Sequence, residues 1–287
     1  MFGKLKKKLM TVIENTSRKV YYDELKADVQ KTIDSSVEGD RQNIAKLSHD
    51  LREYERKEVY RSYKGINYQD FENAFRGSRD NIKKLQSEYL KYYEGRSNVV
   101  DIGCGRGEFL ELLKENGIEA TGVDMSDQLI AYCRKLGLNV VKDDALNYIK
   151  THDELGGIFA SQVIEHLQTE ELIEFLKLTY EKLADGAYLI VETPNPRCLS
   201  TFTNAFYMDF SHDKPVHPLT VRYILQRAGF KNIEIVYTEG SRMPYQLPEF
   251  KGEGIENLDE INEGVRKLND LLYGSQDYAV IAQKIKA

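Results

Sequence analysis

A short hydrophobic run that ends on an acid and enters a glycine-rich turn constrains this 287-residue chain more than any other feature. Residues 98–108 read Asn-Val-Val-Asp-Ile-Gly-Cys-Gly-Arg-Gly-Glu. β-Branched residues of this kind favour a buried strand, and the glycines let the backbone turn sharply and let a ligand approach it before a helix begins. The motif therefore predicts a parallel α/β sheet with a ligand site at the carboxyl ends of its strands.

The spacing of the glycines limits which ligand this turn can hold. Gly103, Gly105 and Gly107 follow a Gly-x-Gly-x-Gly pattern. Dinucleotide-binding turns follow Gly-x-Gly-x-x-Gly instead, and they place a pyrophosphate on the helix N-terminus. Because Asp101 stands two residues before the first glycine and an acid there can meet an ammonium group, we expect a ligand with an amino-acid tail.

Strand and helix patterns alternate through the rest of the chain. The predicted strands are 98–102, 119–123, 139–141, 157–161, 187–192, 232–237 and 278–283, and the predicted helices include 108–116, 128–136, 146–151, 169–183, 220–228 and 258–272. Strands separated by helices of this length form βαβ units, whereas the last two strands lack a parallel crossover. We predict an α/β, Rossmann-like fold with a mostly parallel seven-stranded sheet and an antiparallel terminal pair.

Acids also follow the second and third predicted strands. Asp124 lies 21 residues after Gly103, where a carboxylate can accept hydrogen bonds from both hydroxyls of a ribose. Asp143 and Asp144 follow the third strand, and we expect Asp144 to meet the edge of an adenine. The alternative for Asp124 and Asp144 is that each caps the helix that follows it.

Together these segments resemble the class I S-adenosylmethionine-dependent methyltransferases over about residues 68–287. The resemblance implies S-adenosylmethionine as the cofactor and places Arg76 over the carboxylate of that cofactor, although Arg76 could instead pair with a surface acid. The predicted cofactor-binding residues are Arg76, Asp101, Gly103, Gly105, Asp124, Met125, Asp144, Ala145 and Gln162.

Four further segments narrow the resemblance to bacterial methyltransferases associated with O-antigen and other surface polysaccharides, some of which terminate chains. These segments are 75–80, 163–167, 192–196 and 206–218. The resemblance implies methylation of a sugar hydroxyl on a surface glycan or its precursor. The alternatives are a quinone or lipid O-methyltransferase, methylation of a glycan phosphate, and a non-catalytic scaffold that binds the cofactor.

A hydroxyl acceptor calls for a general base, and the candidates lie in two segments. His212, His217 and Asp209 belong to an aromatic loop, residues 206–218, that suits carbohydrate binding, while Glu165 and His166 follow the fourth strand. The histidines of the loop could instead cap neighbouring helices. The chain contains none of the protein-kinase motifs, so we place a sugar hydroxyl ahead of a phosphate as the acceptor.

The pair Glu165-His166 is similar to a metal-binding arrangement in quinone-modifying methyltransferases. That arrangement has an acid three residues before the glutamate, where this chain has Gln162. An amide is a weaker and uncharged ligand, so we predict no metal. The Glu-His pair then orients its loop by hydrogen bonding.

Residues 1–60 are predicted to form an N-terminal helical segment, and residues 61–287 the methyltransferase domain. The first 20 residues hold six basic residues against one acid, interleaved with apolar side chains, which is typical of a helix that binds an anionic membrane surface. A heptad-like stripe at Ile44, Leu47, Leu51 and Tyr54 indicates a coiled coil that could form a homo-oligomer.

Charge and cysteine content limit the partners and the compartment. The chain has a net charge of −6 despite its basic beginning, so the rest is strongly acidic and is a poor match for nucleic acid. The three cysteines, Cys104, Cys133 and Cys198, show no paired spacing and favour a reducing compartment. We therefore expect a cytoplasmic protein with peripheral contact at the inner membrane face.

Overall fold

The computed structural model describes residues 74–204 and 206–286. The predictions for residues 1–60, which are the helical segment, the membrane contact and the coiled coil, lie outside the described residues. The domain boundary predicted between residues 60 and 61 also lies outside them.

The described residues form one seven-stranded sheet with the order β3-β2-β1-β4-β5-β7-β6. The strands are β1 (Val99–Ile102), β2 (Ala120–Asp124), β3 (Val140–Lys142), β4 (Gly157–Ser161), β5 (Tyr188–Pro194), β6 (Lys231–Tyr237) and β7 (Asp277–Gln283). Strands β1 to β5 pair in parallel, and β7 runs antiparallel to both of its neighbours. This arrangement confirms the predicted fold class, including the antiparallel terminal pair.

The chain order reverses at β1, which pairs with β2 on one side and with β4 on the other. In open α/β sheets a ligand binds outside the carboxyl ends of the strands at such a switch point. The fold therefore places the glycine-rich turn after β1 at the point where a ligand is expected.

Eight α-helices lie in the described part of the chain. They are α1 (Arg79–Gln86), α2 (Glu108–Glu115), α3 (Asp127–Lys135), α4 (Ala145–Thr151), α5 (Thr169–Lys182), α6 (Leu199–Asn204), α7 (Pro218–Ala228) and α8 (Leu258–Tyr273). Side-chain caps fix several starting points, because Ser126 caps α3, Asp144 caps α4 and His217 caps α7. No helix among these residues is both long and apolar enough to cross a membrane.

Helices cover both faces of the central strands, which explains why these strands read as continuous apolar runs. Every residue of β1 and β4 is buried. The main core packs the sheet against α4, α5 and α7 on one face, and a second core places Phe109 of α2 on Phe159 of β4 on the other. Strands buried on both faces lose the polar alternation of a half-exposed strand.

Candidate functional site

The glycine turn after β1 depends on a backbone conformation that suits glycine. The φ angles are 66° at Gly103, 51° at Gly105 and 77° at Gly107, all in the left-handed region. The turn is fixed to β2 because the N–H groups of Gly103 and Cys104 donate to the carbonyl oxygen of Val123, at 2.8 and 3.1 Å. Helix α2 begins directly after the turn, so its N-terminus lies at the ligand edge of the sheet.

Asp124 braces this turn from the end of β2. One carboxylate oxygen accepts the N–H of Gly105 at 3.0 Å, and the other accepts the N–H of Ser126 at 2.8 Å. The N-cap of α3 is Ser126, so Asp124 does not serve as that cap. Burial raises the pKa of Asp124, and the backbone donors oppose this effect. Each oxygen can accept a further bond, which fits a pair of ribose hydroxyls.

Asp101 lies at the same edge and is only 3% exposed. Burial raises its pKa well above the usual range, while the charge of Arg76 lowers it. The guanidinium of Arg76 lies against the glycine turn, since a Cβ added at Gly105 would meet its Nη1 at 2.7 Å. The predicted cofactor residues Arg76, Asp101, Gly105 and Asp124 are therefore brought together.

Two arginines that the sequence analysis missed attach the segment around Arg76 to the turn. Arg79 donates to the carbonyl of Arg106 at 2.6 Å, and Arg106 donates to the carbonyl of Gly77 at 3.1 Å. A buried ion pair of 2.7 Å between Arg106 and Glu108 holds the second arginine in place. The Arg-Gly-Ser-Arg run at residues 76–79 was visible in the sequence, as was Arg106 in the glycine turn, but the reciprocal pairing of Arg79 and Arg106 depends on the fold.

The third predicted contact region follows β3. Asp144 caps α4 and accepts the N–H groups of Leu146 and Asn147 at 3.0 and 3.2 Å, so the capping role considered from the sequence is confirmed. The side chain of Met125, directly after Asp124, is 40% exposed and offers an apolar surface near the turn. Contact of Met125, Asp144 and Ala145 with an adenine remains a prediction.

Glu165, His166 and His212 form the second group of functional side chains, beyond the end of β4. Possible ligand atoms of the three lie within 4.8 Å of one another. The Glu165 side chain is fully buried, and its Oε2 accepts the hydroxyl of Thr193 at 2.8 Å. Its Oε1 lies 3.9 Å from Nε2 of His212 and has no hydrogen-bond partner among the described residues.

Backbone carbonyls fix the orientation of both histidine rings. Nδ1 of His212 lies 2.7 Å from the carbonyl oxygen of Phe206, and Nδ1 of His166 lies 3.1 Å from that of Ser211. A carbonyl oxygen only accepts, so each Nδ1 carries the proton of the neutral ring and each Nε2 has the lone pair. The two rings meet edge to face with centroids 4.7 Å apart.

Two hydrogen bonds hold the aromatic loop, one to the segment after β4 and one to β7. The N–H of Asp213 donates to the carbonyl of Glu165 at 2.9 Å, and the hydroxyl of Tyr278 donates to the carbonyl of Val216 at 2.7 Å. Asp209 stays near the cluster, because its carboxylate accepts the hydroxyl of Ser211 at 2.5 Å. Elsewhere in this loop the side chain of Tyr207 is 72% exposed.

Burial dominates the protonation of the cluster. It raises the pKa of Glu165 to about 8, and the charges of Asp277 and Asp209 act in the same direction. It lowers the pKa of His166, aided by His212. Arg76 is among the charges that lower the pKa of His166 as well as that of Asp101.

A buried carboxylate that the sequence analysis missed lies on β5 beside this cluster. Glu192 accepts hydrogen bonds from the hydroxyls of Tyr89, Ser161 and Thr238, at 2.5, 2.9 and 3.3 Å. Burial raises its pKa, and Arg76 is among the groups that lower it. The Glu-Thr-Pro-Asn-Pro segment that contains Glu192 was used only for the resemblance, because its donors come from distant parts of the chain.

Protein contacts hold Gln162 and His217, and the cofactor role of the first and the catalytic role of the second remain predictions. Gln162 adopts a φ of 59°, and its amide donates to Asp277 at 3.0 Å. His217 is exposed and caps α7, accepting the N–H of Leu219 at 3.2 Å. The structure thus brings His212, and not His217, together with Glu165 and His166.

Comparisons with known proteins agree with this geometry. A family described as a methyltransferase domain matches residues 72–235. A crystal structure of a SAM-dependent methyltransferase from Archaeoglobus fulgidus is 43% identical over 76% of this chain and 100% of its own, with a TM-score of 0.73. Another, from Thermotoga maritima, is 20% identical over 76% of this chain and 94% of its own, with a TM-score of 0.52, and supports the fold alone. No curated protein matches the chain.

Proposed function

This chain belongs to the class I S-adenosylmethionine-dependent methyltransferases, and we propose that it methylates a sugar hydroxyl of a bacterial surface glycan or its precursor. The single observation that carries the choice of a hydroxyl is the position of His212. Its Nε2 has the lone pair of the neutral ring and lies beside the buried carboxyl of Glu165, so it can accept a proton.

The residues around the glycine turn fit the cofactor. Its ammonium group needs an acid, its carboxylate needs a cation and its ribose needs a paired acceptor, and Asp101, Arg76 and Asp124 offer these groups at one edge of the sheet. When bound, S-adenosylmethionine supplies a methyl group on a sulfonium, and this group passes to the acceptor oxygen while the sulfur keeps the bonding electron pair.

The cluster beyond β4 prepares the acceptor hydroxyl in this proposal. Nε2 of His212 takes the hydroxyl proton as the oxygen is methylated, and the imidazolium then returns it to solvent. The carbonyl of Phe206 keeps the ring in the tautomer that can do so. Neutral His166 packs on the ring of His212 and limits its rotation. Alignment and exclusion of water supply the remaining catalysis.

A carbohydrate acceptor is supported by the aromatic loop and by the sequence resemblance. Tyr207 is largely exposed, and Met208 and Phe210 are partly exposed, close in sequence to His212. Flat aromatic rings at a polar site suit the apolar face of a sugar. The acceptor is identified by incubating the protein with labelled S-adenosylmethionine and a panel of nucleotide sugars, oligosaccharides, phosphorylated glycans, quinones and lipids.

His212→Ala tests the hydroxyl assignment, with His217→Ala as the matched control. We expect the first change to lower kcat by about a hundredfold while the affinity for S-adenosylhomocysteine is kept. The second removes only a helix cap, so it should cost about 1 kcal/mol of stability and leave kcat unchanged. Steady-state kinetics and calorimetry measure both. A phosphate acceptor, which is already ionised and needs no base, would leave His212→Ala fully active.

The proposed location is the inner face of the membrane, where a glycan precursor linked to lipid would be reached. This part of the proposal is supported only by the basic, apolar pattern of residues 1–20, which lie outside the described residues. We expect the full chain to sediment with anionic vesicles at low salt and to be released at high salt. A chain lacking residues 1–20 should stay in the supernatant, and equal sedimentation of the two would contradict the assignment.

A further inference from the structure

The cluster of Glu165, His166 and His212 has the donor set of a metal centre. Two imidazoles and a carboxylate approach one another within 4.8 Å. Nitrogen and oxygen donors in this combination suit Zn²⁺ and other divalent first-row transition metals, whereas Mg²⁺ and Ca²⁺ prefer oxygen alone. We infer that Glu165, His166 and His212 bind one divalent transition-metal ion.

The unsatisfied carboxylate oxygen is the observation that most calls for a ligand. Oε1 of Glu165 is buried without a hydrogen-bond partner in the described part of the chain, while Oε2 is bonded to Thr193. Buried acceptors are almost always satisfied, because an unpaired one carries its full desolvation penalty. An ion between Oε1 and Nε2 of His212 would satisfy this oxygen.

The groups around the cluster already hold the ligands as a metal centre requires. Ligating histidines usually donate their other N–H to a carbonyl or carboxylate. Here the carbonyl oxygens of Phe206 and Ser211 lie 2.7 and 3.1 Å from Nδ1 of His212 and His166. Each Nε2 is thereby left with its lone pair, and that of His212 already faces Oε1 of Glu165.

The distance between the ligand atoms is close to what an ion needs. Oε1 of Glu165 and Nε2 of His212 are 3.9 Å apart. Two ligands of a tetrahedral ion with bonds of about 2.0–2.1 Å are about 3.3 Å apart. A small rotation of the His212 side chain, which is 9% exposed, would close this difference.

This inference departs from the sequence analysis, which predicted no metal because Gln162 occupies the position of an acidic ligand. The third ligand comes instead from His212, more than forty residues further along the chain. The amide of Gln162 is bonded to Asp277, so it is not needed in the centre.

The consequence for catalysis rests on the proposed function. Three protein ligands leave open positions on the ion, as in catalytic rather than structural centres. An acceptor hydroxyl bound there becomes more acidic and loses its proton to solvent water as its oxygen takes the methyl group. While the ion is bound, the lone pair of His212 is a metal ligand and the ion activates the hydroxyl. Nε2 of His212 accepts the hydroxyl proton only in the metal-free protein.

Titration of the chelator-treated full chain with Co²⁺ tests the site without any acceptor. We expect one equivalent to bind, to give the visible absorption of a nitrogen–oxygen Co²⁺ centre, and to be displaced by Zn²⁺. Glu165→Gln and His212→Gln should each weaken binding at least tenfold. His217→Ala should bind Co²⁺ as the unchanged chain does. Retained binding of S-adenosylhomocysteine shows that each variant is folded.

Failure of this inference can be separated from failure of the proposed function. Absence of saturable Co²⁺ binding, or equal binding by all three variants, would overturn the metal site. If the unchanged chain binds no Co²⁺ and His212→Ala loses methyl transfer, the metal site is rejected and the hydroxyl proposal stands. If the protein binds Co²⁺ but methylates no hydroxyl, the metal site is supported and the proposed function is rejected.

Discussion

Gly103 combines a left-handed backbone with a crowded side, so two separate constraints require a glycine there. Its φ is 66°, and an added Cβ would lie 2.5 Å from Cγ2 of Val163. Val163 belongs to the segment between β4 and Glu165. The contact therefore joins the glycine turn to the segment that carries Glu165 and His166.

Gly103→Ala should disturb this junction beyond the cost of the backbone alone. Gly117 is the matched control, because its φ is 69° and no atom lies within 4 Å of an added Cβ. Gly117→Ala should cost roughly 1–2 kcal/mol of stability and leave cofactor affinity unchanged. Gly103→Ala should cost more and weaken S-adenosylhomocysteine at least tenfold, as calorimetry would measure. Val163→Ala in the same chain should restore part of this loss, and no restoration would show that the contact is unimportant.

The positions of residues at the ends of strands were predictable from the sequence. The positions of residues held by contacts from distant parts of the chain were not. Asp101 and Asp124 could be placed because each directly follows or ends an apolar run, and parallel strands bring such ends to one edge. The choice between His212 and His217 could not be made, because both belong to one polar loop. The carbonyl of Phe206 and the capping of α7 favour His212, whose catalytic role is our proposal.

The segment before α1 acts as a strap over the glycine turn. Its attachment consists of the reciprocal bonds from Arg79 and Arg106 to backbone carbonyls, with Glu111 pairing Arg79 at 2.9 Å. Arg76 therefore depends on Arg79 for its position beside Gly105. If these bonds are lost, the Arg76 side chain is unchanged, but it spends less time beside Gly105.

Arg79→Ala should accordingly weaken cofactor binding, because Arg79 bonds to the carbonyl of Arg106 and to Glu111 and so holds the segment that carries Arg76. Lys83 is the matched control, because it pairs with Glu111 at 3.4 Å and with Glu115 at 2.6 Å. We expect a loss of affinity of about tenfold for Arg79→Ala, or about 1.4 kcal/mol, and no change for Lys83→Ala. Calorimetry with S-adenosylhomocysteine measures both. Equal losses would mean that charge near Glu111, and not the strap, sets the affinity.

Among the elements, the strands were predicted more completely than the helices. All seven strands were expected, because apolar runs bounded by turn residues are strong local signals. Helix α6 was not, since Leu-Ser-Thr-Phe-Thr-Asn has weak helix propensity. Tertiary contacts support it instead, including the bond from Thr201 to the carbonyl of Gln276. The position of β7 between β5 and β6 also follows from packing rather than from sequence order.

Across the whole described molecule, buried acids collect at the ligand edge of the sheet. Burial raises the pKa of Asp101, Glu192 and Asp277, each on a different strand. Such groups hold protons that the unfolded chain releases, so they make the stability of the fold depend on pH. The buried acids at this edge therefore lower the free energy of unfolding, and they do so increasingly as the pH rises.

Asp277 gives the clearest test of this cost. Burial, followed by the charge of Glu192, raises its pKa from 3.8 to about 7. Below pH 4 both states are protonated, so nothing is lost. Between about pH 4 and 7 the folded state holds a proton that the unfolded state lacks, and stability should fall by up to about 1.4 kcal/mol per pH unit.

Asp277→Asn should remove this contribution, because an amide does not ionise and its oxygen can still accept the bond from Gln162. We expect the variant to match the unchanged chain at pH 4 and to be more stable at pH 8, where loss of the charge at Asp277 also eases ionisation of Glu192. Urea unfolding at both pH values measures the difference. Asp127→Asn is the control, since that side chain is 80% exposed, and it should follow the unchanged chain. Parallel profiles for Asp277→Asn and the unchanged chain would show that Asp277 is already ionised in the fold at neutral pH.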